Sequence, residues 1–226
     1  GAENVISASI ENNVKKIIAL STDKAANPVN LYGATKLCSD KLFVNANNLT
    51  GASDIKFAVV RYGNVVGSRG SVLPYFKSLI QNNVKSLPIT DERMTRFWIT
   101  LDRGVNFVLN SIEIMQGGEL FIPKTPSINI VDLVKTLDKN IKYHIVGIRP
   151  GEKLHEVLCP EDSAQDTIEF KDYYVIRPSG NYTKNHSKNY QINKNKEKGK
   201  FVKENFVYNS KNNPNFLSEK DLKKLI

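Results

Sequence analysis

The apolar positions change period repeatedly along the chain, and each change marks an element. Residues 14–22, VKKIIALST, form a short apolar run of strand length. Residues 55–67, IKFAVVRYGNVVG, form an almost continuous β-branched run, the pattern of a strand buried on both faces of a parallel sheet. Between them, NLYGATKLCSDKLFVNANNLTG places Leu31, Ala34, Leu37 and Cys38 at helical spacing. This predicts a helix with those residues inward, Cys38 acting as a small apolar residue and Gly51 as the stop. AENVISASIENN reads as the end of an earlier helix, SVLPYFKSLIQNN as a helix, SLPIT as a short strand, and TLDRGVNFVLNSIEIMQ as a helix starting from a Thr cap. GELFIP, NIVDLVKTLDKN, YHIVGI and GEKLHEVLC continue the alternation, with EKLHEV read as a helix carrying His155. No internal repeat is present.

Strands alternating with helices of this length predict βαβ units, hence an α/β fold with a doubly wound parallel sheet. Ligands of such sheets sit beyond the carboxyl ends of the strands, where Ser21 and Thr22 and the sequence RYGN at 61–64 fall. One element is missing. No G-x-G-x-x-G or G-x-x-G-x-x-G follows a first strand, so these residues hold no phosphate-cradling turn of a dinucleotide fold. Either the protein binds no dinucleotide or that turn lies upstream. The first residue is Gly rather than Met, which favours a start inside a longer reading frame.

Composition narrows the classes. The 226 residues can bury a substantial core. No apolar run approaches the roughly 20 residues that span a bilayer, and no secretory leader is visible. Cys38 and Cys159 make neither a disulfide framework nor a metal cluster, and the three histidines are dispersed, so no metal is expected. A reducing, cytoplasmic setting fits. Of the net charge of +9, residues 181–226 carry +7, from eleven Lys against four acidic residues. That segment is rich in Lys and Asn without Arg, and reads as a solvated tail rather than a nucleic-acid or membrane surface.

Tyr32 and Lys36 lie four apart on one predicted helix and share a face. An ammonium beside a phenol favours the phenolate, which makes Tyr32 a usable general base. Thr22, at the upstream strand end, can bind the same substrate oxygen. Ser/Thr at a strand end, then Y-x-x-x-K, then RYGNVVGSRGSVLPYF resembles the extended short-chain dehydrogenase/reductase superfamily. STDKAANPVNLYGATK, RMTRFW and GIRPGEKLHE are similar to its nucleotide-sugar 4,6-dehydratases, the polysaccharide-biosynthesis family. The resemblance covers nearly the whole chain. Membrane-anchored members have Met where Tyr32 stands, so Tyr32 points to the soluble branch that inverts C5.

This resemblance implies NADP as cofactor, UDP-N-acetylglucosamine as substrate and a homo-oligomer. It also implies a place at the start of pseudaminic acid synthesis, for flagellin or surface-glycan modification. Residues 1–70 would be the remainder of an NAD(P)-binding Rossmann domain, the C-terminal part of its sheet. Residues 71–180 would be a smaller α/β nucleotide-sugar-binding region interleaved with it, and 181–226 the Lys/Asn-rich segment. Thr22, Asp23, Lys24, Tyr32 and Lys36 would be catalytic. Tyr32 would take the 4-hydroxyl proton, Lys24 in neutral form the C5 proton, and protonated Asp23 would serve the departing 6-hydroxyl. Tyr32, Lys36, Tyr62 and Asn64 would contact cofactor. Asn64, Ser71, Leu73, Arg96, Arg149 and Glu152 would contact substrate, with Gly70 beside the uracil and Arg93 a further anion-binding candidate. Trp98 reads as core. The alternatives are a 4-epimerase or oxidoreductase of the same superfamily, which needs no Asp-Lys pair, and a non-catalytic anion-binding remnant. The 226-residue polypeptide alone is expected to be inactive and to bind cofactor poorly. Added NADP should leave its melting temperature unchanged, and a saturable rise would overturn this.

Overall fold

The computed structural model describes residues 1–51, 53–179 and 189–226. In chain order the elements are α1 (Ala2–Glu11), β1 (Lys16–Thr22), a 3-10 turn (Asp23–Ala25), α2 (Leu31–Ala46), β2 (Lys56–Tyr62), β3 (Asn64–Val65) and α3 (Val72–Gln81). There follow β4 (Ser86–Ile89), β5 (Thr95–Ile99), α4 (Leu101–Ile114), β6 (Leu120–Pro123), β7 (Ser127–Asn129), α5 (Ile130–Leu137) and β8 (Lys142–Ile145). The remainder is β9 (Val157–Cys159), a 3-10 segment (Glu161–Asp166), β10 (Thr167–Glu169), β11 (Tyr173–Ile176), β12 (Lys200–Phe201), β13 (Tyr208–Asn209) and α6 (Glu219–Leu225). They divide into two compact units. The first comprises residues 1–62, 105–124 and 158–207, and the second 63–104, 125–157 and 208–226.

The first unit holds a six-stranded sheet in the order β1-β2-β6-β11-β10-β12. β2 runs parallel to β1, with Ile17 opposite Phe57 and Ala19 opposite Val59, and β6 continues in parallel with Phe121 opposite Val60. The five central residues of β2 are all buried, as its β-branched run predicts for a strand covered on both faces. The parallel α/β class read from the sequence is therefore present. β11, β10 and β12 extend the sheet in antiparallel fashion, an extension that the sequence pattern did not disclose. Ala58, Val60, Phe121, Ile168 and Tyr173 belong to this unit's core, where the Phe170 and Tyr173 rings stack at 4.7 Å.

α2 differs from its reading in two respects. It ends at Ala46, not Gly51, because the Asn47 side chain takes over backbone pairing. Its Nδ2 donates to the carbonyls of Val44 and Phe57, and its Oδ1 accepts from the Phe57 N–H at 3.0 Å. The inward face also changes. Leu31 is 80% exposed and Cys38 is exposed, while Gly33, Asp40, Phe43 and Ala46 are buried. Phe43 meets Phe57 of β2 at 6.3 Å between ring centroids.

In the second unit β3, β5 and β7 form one small sheet and β4 and β8 another. α3 and α5 pack there around Leu73, Phe76, Leu87, Trp98, Leu133 and Leu222. Trp98, 3% exposed, is core as read. EKLHEV is not helical. It bends at Leu154 and His155 before entering β9, and the Arg96 guanidinium donates to the carbonyls of Lys153 and Leu154, taking acceptors that a helix would use.

The solvated-tail reading of 181–226 does not hold for residues 189–226. Tyr190 is buried and donates to the Gly117 carbonyl in the first unit. In the second, α6 opens on a Ser218–Asp221 capping box and buries Leu222 completely. Residues 181–188 lie outside the described residues. Leu222→Ala is expected to cost about 2–5 kcal/mol, as for other buried leucines. A solvated tail would give no change in urea denaturation, which makes the two readings easy to tell apart.

Candidate active site

In the first unit β1 passes directly into the 3-10 turn Asp23–Ala25. Thr22 caps this turn, accepting at Oγ1 from the Lys24 N–H and donating at 2.7 Å to Asp23 Oδ1. Lys24 Nζ lies 3.0 Å from the same carboxylate oxygen. The Asp23 side chain is 1% exposed and that of Lys24 37%. A hydroxyl, a shielded carboxyl and a half-exposed amine thus occupy three successive positions at one strand end. Attraction between such groups is stronger there than in bulk water.

α2 is held against this turn. Asn30 caps the helix by accepting from the Gly33 N–H at 2.8 Å. A Cβ on Gly33 would stand 2.3 Å from the Lys24 carbonyl oxygen and 3.0 Å from Pro28 Cβ. Only a residue without that carbon lets the first turn of α2 close on the Asp23–Ala25 turn. Tyr32, next to Gly33, is 53% exposed, and Lys36 one helical turn on is half-buried. Tyr62 ends β2, and burial raises its phenol above the usual range. The five residues read as catalytic therefore all fall at the C-terminal end of β1 and the start of α2.

Residues of the second unit include those read as substrate contacts. Asn64 lies in β3 opposite Trp98, and its Oδ1 is a buried atom without a hydrogen-bond partner among the described residues. The same is true of Ser71 Oγ at the N-cap of α3. Leu73, on the first turn of α3, is core. Arg149 and Glu152 face each other across a tight turn, closed by the Glu152 N–H on the Arg149 carbonyl at 3.0 Å. Pro150 and Gly151, the latter at φ 76°, supply the backbone shapes of a type II turn. Arg149 is exposed.

Arg96 is occupied by the protein itself. Its Nη1 donates to the carbonyls of Thr95 and Leu154, its Nη2 to Lys153, and Glu152 and Glu156 lie 3.5 and 3.6 Å from the guanidinium. Arg93, by contrast, forms an exposed two-point pair with Asp91 and holds that carboxyl down at about 2. His155 Nδ1 lies 2.8 Å from Thr95 Oγ1, which also meets Ser210 Oγ at 2.7 Å. Burial, then the nearby Lys211, Arg96 and Arg93, lowers His155 below its ordinary value.

The sequence reading passed over three residues. Asp40, Arg61 and Ser21 form a buried polar cluster in the first unit, with Ser21 Oγ and Arg61 Nη2 both donating to Asp40 Oδ2. The signals were an acidic residue one turn beyond Lys36 and an arginine inside a β-branched run.

Residues 1–178 match the family described as polysaccharide biosynthesis protein, and the chain belongs to that family. It is 58% identical over all 226 residues to the UDP-N-acetylglucosamine 4,6-dehydratase (inverting) of Campylobacter jejuni, covering 67% of that protein. A UDP-glucose 4-epimerase of Rickettsia canadensis is 41% identical over 192 residues, which are 81% of this chain and 56% of the epimerase. Among solved structures, Pen from Bacillus thuringiensis superposes with a TM-score of 0.83 at 35% identity, over 100% of this chain and 66% of that one. The chain thus spans about two thirds of the length of these dehydratase and Pen relatives. No helix among the described residues is long and apolar enough to cross a membrane.

Gly33→Ala forces a Cβ into the Lys24 carbonyl and must move the helix or the turn. A displacement of this kind is expected to lower kcat about tenfold to hundredfold in the natural protein. Wild-type turnover in Gly33→Ala would show that the close approach is irrelevant to chemistry.

Proposed function

We propose that this chain carries the catalytic residues of a UDP-N-acetylglucosamine 4,6-dehydratase that inverts C5. The observation behind the reading is 58% identity, over every residue of the chain, to an enzyme of that name. The arrangement of Thr22, Asp23, Lys24 and Tyr32 at one strand end supports it.

The residues present fit one end of a dinucleotide. The half-exposed Tyr32 ring, with Lys36 one turn on and Tyr62 at the end of the neighbouring strand, suits a nicotinamide ribose, and Asn64 is a further proposed contact. Held by these residues, such a group would supply a reversible hydride acceptor serving C4 and then C6 of the sugar, so the reaction would have no net redox change. It is proposed as NADP on the family resemblance, and parallel assays with NADP and NAD test the choice.

The chain's own groups move the protons. Tyr32 accepts the proton of the 4-hydroxyl, assisted by Lys36, while Thr22 holds the oxygen. The resulting 4-ketone acidifies the C5 hydrogen, which the neutral amine of Lys24 removes. Asp23, protonated, gives its proton to the departing 6-hydroxyl, which leaves as water, and a proton delivered to C5 from the opposite face as hydride reaches C6 completes the balance and inverts that centre. Neutral amine and protonated carboxyl differ from the ion pair by one proton moved across the 3.0 Å contact. No proton need come from solvent to arm the site. Asn64, Ser71, Leu73, Arg149 and Glu152 are proposed substrate contacts, the exposed Arg149 suiting a diphosphate. Arg96 could join them only by giving up protein acceptors.

The natural protein with UDP-N-acetylglucosamine and NADP in D2O tests the reading. The expected product, by NMR and mass spectrometry, is a dehydrated 4-keto sugar labelled and inverted at C5. Lys24→Met and Asp23→Asn are expected to lower kcat about 10²–10⁴-fold. A water-retaining C4 epimer would move the assignment to the epimerases, to which the chain is also related.

A further inference from the structure

We infer that Asp40 is a positioning residue for the proposed dehydration, joining the helix that bears Tyr32 and Lys36 to the strand end that bears Thr22. The inference rests on that reading of the function. Asp40 lies on α2 one turn beyond Lys36 and is 3% exposed. Its Oδ2 accepts from Ser21 Oγ at 2.7 Å and from Arg61 Nη2 at 2.9 Å. Ser21 and Arg61 are opposite one another in the β1–β2 register, and Ser21 immediately precedes Thr22. Arg61 Nη1 donates in turn to the Leu158 carbonyl at 3.0 Å. One carboxylate oxygen therefore fixes α2 against the ends of two adjacent strands.

Stability alone does not account for such a cluster. Apolar side chains of similar volume commonly replace a buried ion pair without loss, because desolvating both charges offsets their attraction. Here the pair is also incompletely satisfied, since Arg61 Nε is buried without a hydrogen-bond partner among the described residues. What a carboxylate provides and an apolar residue does not is direction. The apolar packing of α2 gives little of that near the site, because Leu31 and Cys38 are exposed and the first turn meets the chain through Gly33. Hydrogen bonds from Ser21 and Arg61 set the rotation and the height of α2 along β1, and with them the placement of Tyr32 and Lys36 relative to Thr22, Asp23 and Lys24.

The test compares Asp40→Ala, Asp40→Glu and the double variant Asp40→Leu/Arg61→Met with the natural protein. Asp40→Ala strands the Arg61 charge and can fail to fold, so the double variant decides. It is expected to melt close to the natural protein and to keep its KM, with kcat lowered about tenfold to hundredfold. Asp40→Glu, which retains the carboxylate, should recover part of kcat. Hydrogen exchange gives a readout independent of turnover. Amides of residues 22–25 and 31–36 should exchange faster in the double variant, with those of β2 unchanged. A folded double variant with natural kcat and natural exchange would overturn the inference. Absence of dehydration by the natural protein would instead overturn the function, while exchange still decides the positioning role.

Discussion

The Lys24 carbonyl stands 2.3 Å from where a side-chain carbon of Gly33 would be, and this close approach sets what the first unit can do. Peptide planes are stiff, and a backbone oxygen cannot retreat as a flexible side chain can. The start of α2 and the turn after β1 therefore behave as one piece, braced by Thr22 on the turn and Asn30 on the helix. Tyr32 is carried on that piece next to the glycine. A missing carbon and two caps fix this end of the helix, in addition to the Asp40 contacts one turn beyond Lys36, and apolar burial contributes little here.

The same piece governs the charges. Asp23 is nearly inaccessible, and Ala25 and Ala26 on the same turn are buried as well. A carboxyl kept from water is poorly stabilised as an anion unless a cation or donors attend it. Lys24 and Thr22 both attend Asp23 Oδ1. One carboxylate oxygen therefore receives both a hydroxyl and an ammonium donor, at 2.7 and 3.0 Å. The proposed elimination needs a base for C5 and an acid for the 6-hydroxyl, and this contact places the two candidate groups side by side.

Much of this was legible in the residues, and the failures have physical causes. β2 announced itself because a strand buried on both faces has no polar alternation to disguise it. Y-x-x-x-K marked the accessible face of α2 that bears Tyr32 and Lys36, but apolar spacing named the wrong buried face, since Gly33 and Asp40 go inward where a periodicity count sees no hydrophobe. EKLHEV looked helical, and the donor that takes its carbonyls is Arg96, more than fifty residues earlier. The Lys/Asn-rich segment misled through composition. A few well-spaced residues, Tyr190, Tyr208 and Leu222, anchor stretches whose average is polar. The missing glycine-rich turn was legible as an absence and remains one among the described residues.

Relatedness to both dehydratases and epimerases places weight on the chemistry that separates them. Interconverting configuration at C4 requires one proton transfer at O4 and a reversible hydride transfer, which Thr22, Tyr32 and Lys36 could serve. Eliminating water adds two demands on the other side of the ketone: a base for C5 and an acid for the 6-hydroxyl. Asp23 and Lys24 are adjacent in sequence, 3.0 Å apart at their reactive atoms, and lie on the turn that Gly33 holds beside Tyr32. An isolated surface pair of that kind would contribute about 1 kcal/mol or less to stability. With Asp23 buried, the pair is a poor source of stability, and its position supports the proposed elimination over the epimerisation.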